Sequence, residues 1–194
     1  MREKIIKESV MGAVKKEEYR PYYTYEDYKE WEGNWELING NAYAMAPSPM
    51  FNHQSIASLL IQTIGDSIRS CKNCMVVSEM DYKISDDTIL RPDIALVCGQ
   101  REGAYIKKSP ELIVEIVSQS SALRDEKIKY FLYENEKVPY YVLLYPEDLR
   151  AKIYRLDGKC YEKVTDILKG TFVFDGVECS PKIDFNFVFE RFRE

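Results

Sequence analysis

The sequence predicts an α+β fold, a central mixed β-sheet flanked by helices with extra β-hairpins. Three observations lead there. Two hairpin signals stand far apart: Asn39-Gly40 between apolar strands at 35–38 and 41–46, and Asp157-Gly158-Lys159 between 152–156 and 160–165. A strand–helix–strand unit runs from 111 to 145. Between them, Ile56, Leu59, Leu60, Ile64 and Ile68 recur with a helical period over 52–70. The early and late hairpins argue against a purely doubly wound fold.

The elements follow in order. Residues 1–22 read as a polar arm or helix, and 23–194 as a single domain. Thr24 precedes a short helix over 25–31, with Asp27 placed to close a capping box. Gly33-Asn34 ends it, and Pro47-Ser48-Pro49 ends the first hairpin. Alternation over 75–84 predicts one strand and 89–97 a second, in which Pro92 marks an irregular or edge position. Pro110 opens the most apolar run, Glu111 to Ser118, the expected sheet centre. A helix over 121–134 is expected to bury Leu123, Ile128, Phe131 and Leu132, and Tyr140 to Tyr145 forms the next buried strand. The tail holds one or two short strands around Phe172-Val173-Phe174. Its phenylalanines 185, 187, 189 and 192 are expected to pack on the sheet.

A chain of 194 residues, 45% hydrophobic and 30% charged, is long enough for a substantial core. No apolar run approaches the ~18 residues of a membrane helix, and the start lacks the apolar core of a signal peptide. A cytoplasmic protein without a membrane partner is expected. The net charge of -5 weighs against coating nucleic acid by charge alone, though not against an enzyme with a local basic rim. Fifteen tyrosines suggest amphipathic packing and an interface, hence a homo-oligomer, with a dimer the simplest case. Five scattered cysteines argue against a disulfide scaffold. Cys71-Lys-Asn-Cys74 has metal or redox spacing. It lacks a second pair, and the one histidine is His53, so the spacing reads as coincidence.

The chemistry gathers around a few charged residues. Glu115 interrupts the most apolar strand, sharing a face with Ile113 and Val117. A buried carboxylate costs several kcal/mol unless it is paired, hydrogen-bonded or metal-bound. Alone it reads equally as a core ion pair, and Asp93, after Arg91-Pro92, equally as a strand-start cap. Together, on neighbouring strands, they would repel unless a cation lies between them, and Mg²⁺ suits such a pair. Asp125, Lys129 and Tyr133, four apart, share one helix face. Lys129 could then orient or deprotonate a water and offset charge on a phosphate, or simply pair with Asp125 at the surface. His53 reads as a helix cap or hydrogen-bonding residue, and Glu36 as an ordinary strand residue, with the site as the alternative for each.

One ordered series is more specific. It runs Glu36-Leu37-Ile38-Asn39-Gly40, Met45-Ala46-Pro47-Ser48-Pro49 with His53-Gln54, then Arg91-Pro92-Asp93-Ile94. It continues with Pro110 to Ser118, Arg124-Asp125, Lys129 and Tyr133. From about Tyr23 onward the chain resembles the Uma2 family of restriction-endonuclease-like proteins. The resemblance implies the restriction-endonuclease-like core of the PD-(D/E)xK nuclease superfamily. Asp93 and Glu115 match its two acids and would bind the metal, Mg²⁺ or Mn²⁺. The usual lysine position falls on Val117, and Lys129 on the following helix matches the family's relocated lysine. The implied catalytic set is Asp93, Glu115 and Lys129, supported by Glu36, His53, Asp125 and Tyr133. Gln119 and Asn39 depart from the pattern in loops. The implied activity is metal-dependent endonucleolytic hydrolysis, with DNA the expected partner. The alternative is a catalytically weak nuclease-fold homo-oligomer that binds nucleic acid or protein.

Overall fold

The computed structural model describes residues 21–45 and 50–193. The expected N-terminal arm, apart from Pro21 and Tyr22, therefore lies outside the described residues, as do the last residue of the expected strand 41–46 and the turn Pro47-Ser48-Pro49. In chain order the elements are α1 (Tyr25–Tyr28), β1 (Trp35–Ile38), β2 (Asn41–Ala44), α2 (Phe51–Ser67), β3 (Cys74–Ser78), β4 (Tyr82–Lys83), β5 (Ile89–Leu90), β6 (Ile94–Cys98) and β7 (Leu112–Ile116). A π-helical segment (Arg124–Lys129) leads into α3 (Tyr130–Asn135). Then come β8 (Tyr140–Tyr145), β9 (Arg150–Asp157), β10 (Cys160–Ile167), β11 (Thr171–Val173), β12 (Lys182–Asp184), α4 (Phe185–Phe189) and a 3₁₀ turn, Glu190–Phe192.

The expected mixed sheet is there. Six strands lie in the order β10-β9-β8-β7-β6-β3, and only β7 and β8 run parallel, as the strand–helix–strand crossover requires. Both hairpins form. Asn39 and Gly40 take φ of 48° and 72°, the left-handed pair a tight two-residue hairpin demands. Thr24 donates its N–H to the Asp27 carboxylate at 2.8 Å, although α1 ends at Tyr28, short of the expected residue 31.

Two expected strands are each divided between two sheets. The run 75–84 becomes β3 in the large sheet and β4 in a small sheet of order β2-β1-β5-β4. The run 89–97 becomes β5 in the small sheet and β6 in the large one. Pro92, without an N–H, sits where the second run crosses over, and Glu79 with φ of 49° sits just after β3. Arg91, Pro92 and Asp93 thereby form a joint between the sheets.

The two faces of the large sheet differ. Leu112, Val114 and Ile116 point into a core shared with Ile56, Leu60 and Ile64 of α2 and Phe185, Val188 and Phe189 of α4. The terminal phenylalanines 185 and 189 are thus fully buried, and Phe187 and Phe192 pack partly buried against the same core. On the other face Ile113 and Val117 pack with Tyr133, Tyr141, Leu143 and Tyr161.

The helix covering that second face is turned against expectation. Leu123 and Phe131, expected in the core, are 73% and 58% exposed, while Ile128 and Leu132 are half-buried. Asp125, Lys129 and Tyr133 take the inside instead. Buried strand carboxylates need a partner more than two apolar side chains need burial, and that requirement sets the rotation of the helix.

Four of the five cysteines also come together, against the sequence reading. Cys71 pairs with Cys179 and Cys74 with Cys98 as disulfides, leaving Cys160 free. The partners lie 108 and 24 residues apart, so local spacing held no sign of them.

Candidate functional site

The β6–β7 ladder decides the placement of the first two acids. Ile94 faces Val114 and Ala95 faces Ile113, so one step further along the same register Asp93 faces Glu115. Because side chains alternate, Asp93 shares the face of Ala95, and Glu115 that of Ile113, which is the same side of the sheet. Two contacts fix the pair. The Ile116 N–H donates to Asp93 Oδ2 at 2.6 Å, and the Asp93 N–H reaches Glu115 Oε2 at 3.4 Å.

The helix supplies the counter-charge. Lys129 Nζ lies 3.0 Å from Glu115 Oε1, 2.8 Å from Glu36 Oε1 and 3.5 Å from Asp125 Oδ1. Tyr133 donates its hydroxyl to the same Glu115 Oε1 at 2.8 Å. Glu36, Glu115, Asp125 and Lys129 are all nearly fully buried, a density of charge that a core does not carry for stability alone. A π-helical turn, the rare wider helix often found at functional sites, presents Asp125 and Lys129 inward.

Glu36 comes from the first hairpin and ties the sheet joint to the helix. Its Oε1 also accepts the Arg91 N–H at 3.0 Å, and its Oε2 lies 3.3 Å from Arg124 Nη1. His53, in the first turn of α2, brings Nε2 to 3.5 Å from Asp93 Oδ2. Its Nδ1 is buried without a hydrogen-bond partner among the described residues.

Electrostatics follow from this crowding. Burial pushes the Glu115 carboxyl well above its ordinary range. Lys129 pulls it back down, while Asp125, Asp93 and Glu36 push it further up. Burial and its acidic neighbours likewise raise Asp125 against the pull of Lys129. For Lys129 burial favours the neutral amine, yet Glu115, Glu36, Asp125 and Asp93 together hold its pKa well above normal. Burial also opposes charge on His53, but the Asp93 hydrogen bond and the charges of Asp93 and Glu79 raise it on balance.

These groups line a cavity of about 620 Å³. Its wall includes Glu36, His53, Asp93, Glu115, Asp125 and Lys129, together with the loop Ser118 to Ser121. All seven residues singled out in the sequence therefore converge, Tyr133 through Glu115. Arg124 was missed as a site residue. It lines the cavity and lies over the Tyr43 ring at 5.8 Å. Its place in the Arg124-Asp125 pair was the available signal. Glu79 and Gln54, hydrogen-bonded to each other at 3.3 Å, also line the cavity; Gln54 stood in the ordered series beside His53, while Glu79 carried no signal.

A family model described as "Putative restriction endonuclease", Uma2, matches residues 22–179. The chain is a member of the Uma2 family. Every residue of the charged cluster lies inside the matched span. No curated protein matches the chain. The crystal structure of a "putative nuclease" from Anabaena variabilis superposes with a TM-score of 0.71 at 15% identity, covering 86% of this chain and 97% of that one. At that identity the likeness establishes the fold, a multi-strand sheet flanked by helices with restriction-endonuclease-like architecture.

The Uma2 member has a second group of potential ligands. Among the described residues, the clusters of three or more His, Cys, Asp or Glu ligand atoms within 4.8 Å of one another are Cys71, Cys74, Glu178 and Cys179, and Cys98, Glu111 and Glu178. With the cysteines reduced, these could hold a metal ion. They stand at the opposite end of β3 and β6 from Asp93, as the Cys74–Cys98 pairing across the two strands requires. Among the described residues no helix is long and apolar enough to cross a membrane.

Proposed function

We propose that this Uma2 protein hydrolyses phosphodiester bonds in DNA with the help of Mg²⁺ or Mn²⁺ held by Asp93 and Glu115. The supporting observation is the cross-strand meeting of these two carboxylates at a cavity wall, with an ammonium 3.0 Å from one of them. The donor set fits a hard divalent cation. Each acid has one oxygen engaged by protein donors, Asp93 Oδ2 by Ile116 and Glu115 Oε1 by Lys129 and Tyr133. Among the described residues, Asp93 Oδ1 has no donor and Glu115 Oε2 only a long one. A cation needing one or two carboxylates and otherwise water and phosphate oxygens matches that vacancy of bonds. A cation held by Asp93 and Glu115 would supply Lewis acidity toward the scissile phosphate and ease loss of a proton from the attacking water.

The side chains divide the remaining work. Lys129 stays an ammonium, because three carboxylates surround it, so it serves as fixed positive charge and not as a base. Tyr133 and Lys129 hold the Glu115 carboxylate in one orientation. Glu36 and Asp125 hold the ammonium in place. Arg124, 17% exposed at its side chain, is better placed than the buried lysine to meet a phosphate oxygen. His53 bears on Asp93 and steadies it.

A second reading has a specific observation behind it. The cavity also carries Glu79 and Glu147, so its acids outnumber Arg91, Arg124 and Lys129, and the chain bears a net charge of -5, which leaves little pull on a polyanion without a bound cation. A catalytically weak binding module would tolerate that. The deciding experiment incubates plasmid and branched DNA with purified protein and Mg²⁺ or Mn²⁺, comparing wild type with Asp93→Asn. Cleavage by wild type, chelator-sensitive and lost in the variant, is expected. Intact substrates together with no magnesium or manganese binding by calorimetry would favour the binding module.

A further inference from the structure

The cysteine cluster lies outside the carboxylate site, and nothing in the nuclease reading uses it. Its four sulfurs come from four separate stretches: the end of the α2 region (Cys71), the start of β3 (Cys74), the end of β6 (Cys98) and the loop before β12 (Cys179). Cys74 and Cys98 are register partners on neighbouring strands. The two sulfur pairs do not stand apart. Cys179 Sγ lies 3.2 Å from Cys74 Sγ, which joins all four sulfurs into one group.

A single metal ion requires its sulfur ligands to gather in this way. At a Zn–S length of about 2.3 Å, the sulfurs of a tetrahedral site stand roughly 3.8 Å apart. The sulfurs of Cys71, Cys74 and Cys179, with a Glu178 oxygen, lie within 4.8 Å of one another, and Cys98 adjoins that group through its partner Cys74. The local backbone suits such a site. Cys71-Lys72-Asn73-Cys74 has the two-residue spacing that lets both sulfurs turn to one side, and Gly99, with φ of 72°, follows Cys98 directly.

We propose that in the reduced protein Cys71, Cys74, Cys98 and Cys179 together bind one structural Zn²⁺. Soft thiolates select zinc over the hard cation suited to Asp93 and Glu115, so the two sites take different metals. Cys98 is favoured over Glu178 as fourth ligand. Glu178 is exposed and its Oε1 already accepts a hydrogen bond from Asn73 at 2.7 Å. The ion would tie the loop before β12 to β3, the edge strand of the large sheet. Starting from the two disulfides, two equivalents of a dithiol reductant supply four electrons and four protons and become two disulfides themselves. The resulting four thiols then release four protons as Zn²⁺ binds.

The test uses the full chain purified under a thiol reductant. Elemental analysis is expected to give about one zinc per chain, and thiol titration of the loaded protein one reactive cysteine, Cys160. Cobalt replacement should give the charge-transfer and d–d bands of a tetrahedral thiolate centre. Cys98→Ser and Cys179→Ser should lose zinc, while Cys160→Ser and Glu178→Gln keep it. The wild-type cobalt spectrum stands as evidence even if a cysteine variant fails to fold. No zinc uptake after full reduction would overturn the site, as would zinc lost by Asp93→Asn but kept by Cys179→Ser. Loss of zinc in Glu178→Gln with retention in Cys98→Ser would overturn the ligand set. None of these outcomes depends on whether DNA is cleaved.

Discussion

The two faces of the strand β7 show opposite ways of using burial. On one, Leu112, Val114 and Ile116 meet α2 and α4, and each helix turns its apolar stripe inward. On the other, Glu115 meets Asp125, Lys129 and Tyr133, while Leu123 and Phe131 of the same helical segment face out. The first face lowers the free energy of the fold in the ordinary way, by removing hydrocarbon from water. The second gives up part of that gain to keep charges together in a dry place. A chain that sacrifices apolar burial beside a cavity has a use for the charges.

Breaking the charged face should cost most. Lys129→Ala leaves Glu36 and Glu115 buried without their ammonium, and a loss of about 3–5 kcal/mol is expected in urea denaturation. Asp93→Asn, at the more open edge of the site, is therefore the better test of chemistry in a folded protein. The double variant Glu115→Met with Lys129→Met removes both charges and leaves Glu36 to Arg124. It should lose less stability than Lys129→Ala alone, while cleavage is abolished. Equal losses in the two would mean that shape, and not charge, holds this face together.

The apolar face supplies the control. Leu144 is fully buried in the α2–α4 core, and Leu144→Ala should cost about 2–5 kcal/mol through lost transfer energy and a cavity. Its cleavage rate at low temperature should match wild type, because no atom of the cavity wall changes. A variant on this face that altered metal dependence would break the distinction between the two sides.

The sequence disclosed these faces unevenly. The Glu115 strand, the two hairpins and the long α2 helix were legible, because each rests on a local period or a turn with a fixed backbone requirement. The division of 75–84 and 89–97 between two sheets was half-legible, since Pro92 marked the break without saying where the chain went next. The rotation of the 121–134 helix was misread. Its apolar period is real, but the deciding partner, Glu115, lies on a strand and enters no helical periodicity. Asp93, Glu115 and the Asp125–Lys129–Tyr133 face were legible from strand alternation and helical spacing, whereas Glu36 and His53 were read as ordinary residues until the ordered motif series brought them in. The cysteine cluster stayed hidden because Cys98 and Cys179 are remote in sequence from Cys71-Lys-Asn-Cys74.

The charged face also lies among tyrosines, which gives it a pH signature. Burial raises the phenols of Tyr133 and Tyr141 well above normal, with Glu115 adding to both, and burial raises Tyr161 as well. Across the sheet Tyr140 is pushed to about 12 by burial and by its hydrogen bond to Asp175. In the unfolded chain each would ionise near pH ~10. The folded state therefore keeps protons that the unfolded state releases. Stability is fully present below about pH 10 and falls as the pH rises toward the folded-state values. Phenolate absorbance should rise in two stages, exposed tyrosines first and the buried set together with loss of circular dichroism. A single smooth titration with the fold intact would mean that the tyrosine face is open to water.

The smallest expected effect concerns the side chains the helix gave up. Leu123 and Phe131 protrude into solvent, and replacing either by serine removes little buried contact. Each variant should change stability by no more than about 0.5 kcal/mol, read by thermal denaturation at low protein concentration. That result would complete the comparison, since apolar residues on this helix would matter less than its lysine. If the loss instead grew with protein concentration, these two side chains would be covered by a second copy. Sedimentation of the Phe131→Ser variant against wild type would then measure how far the helix was turned to suit an interface, in addition to the carboxylates beneath it.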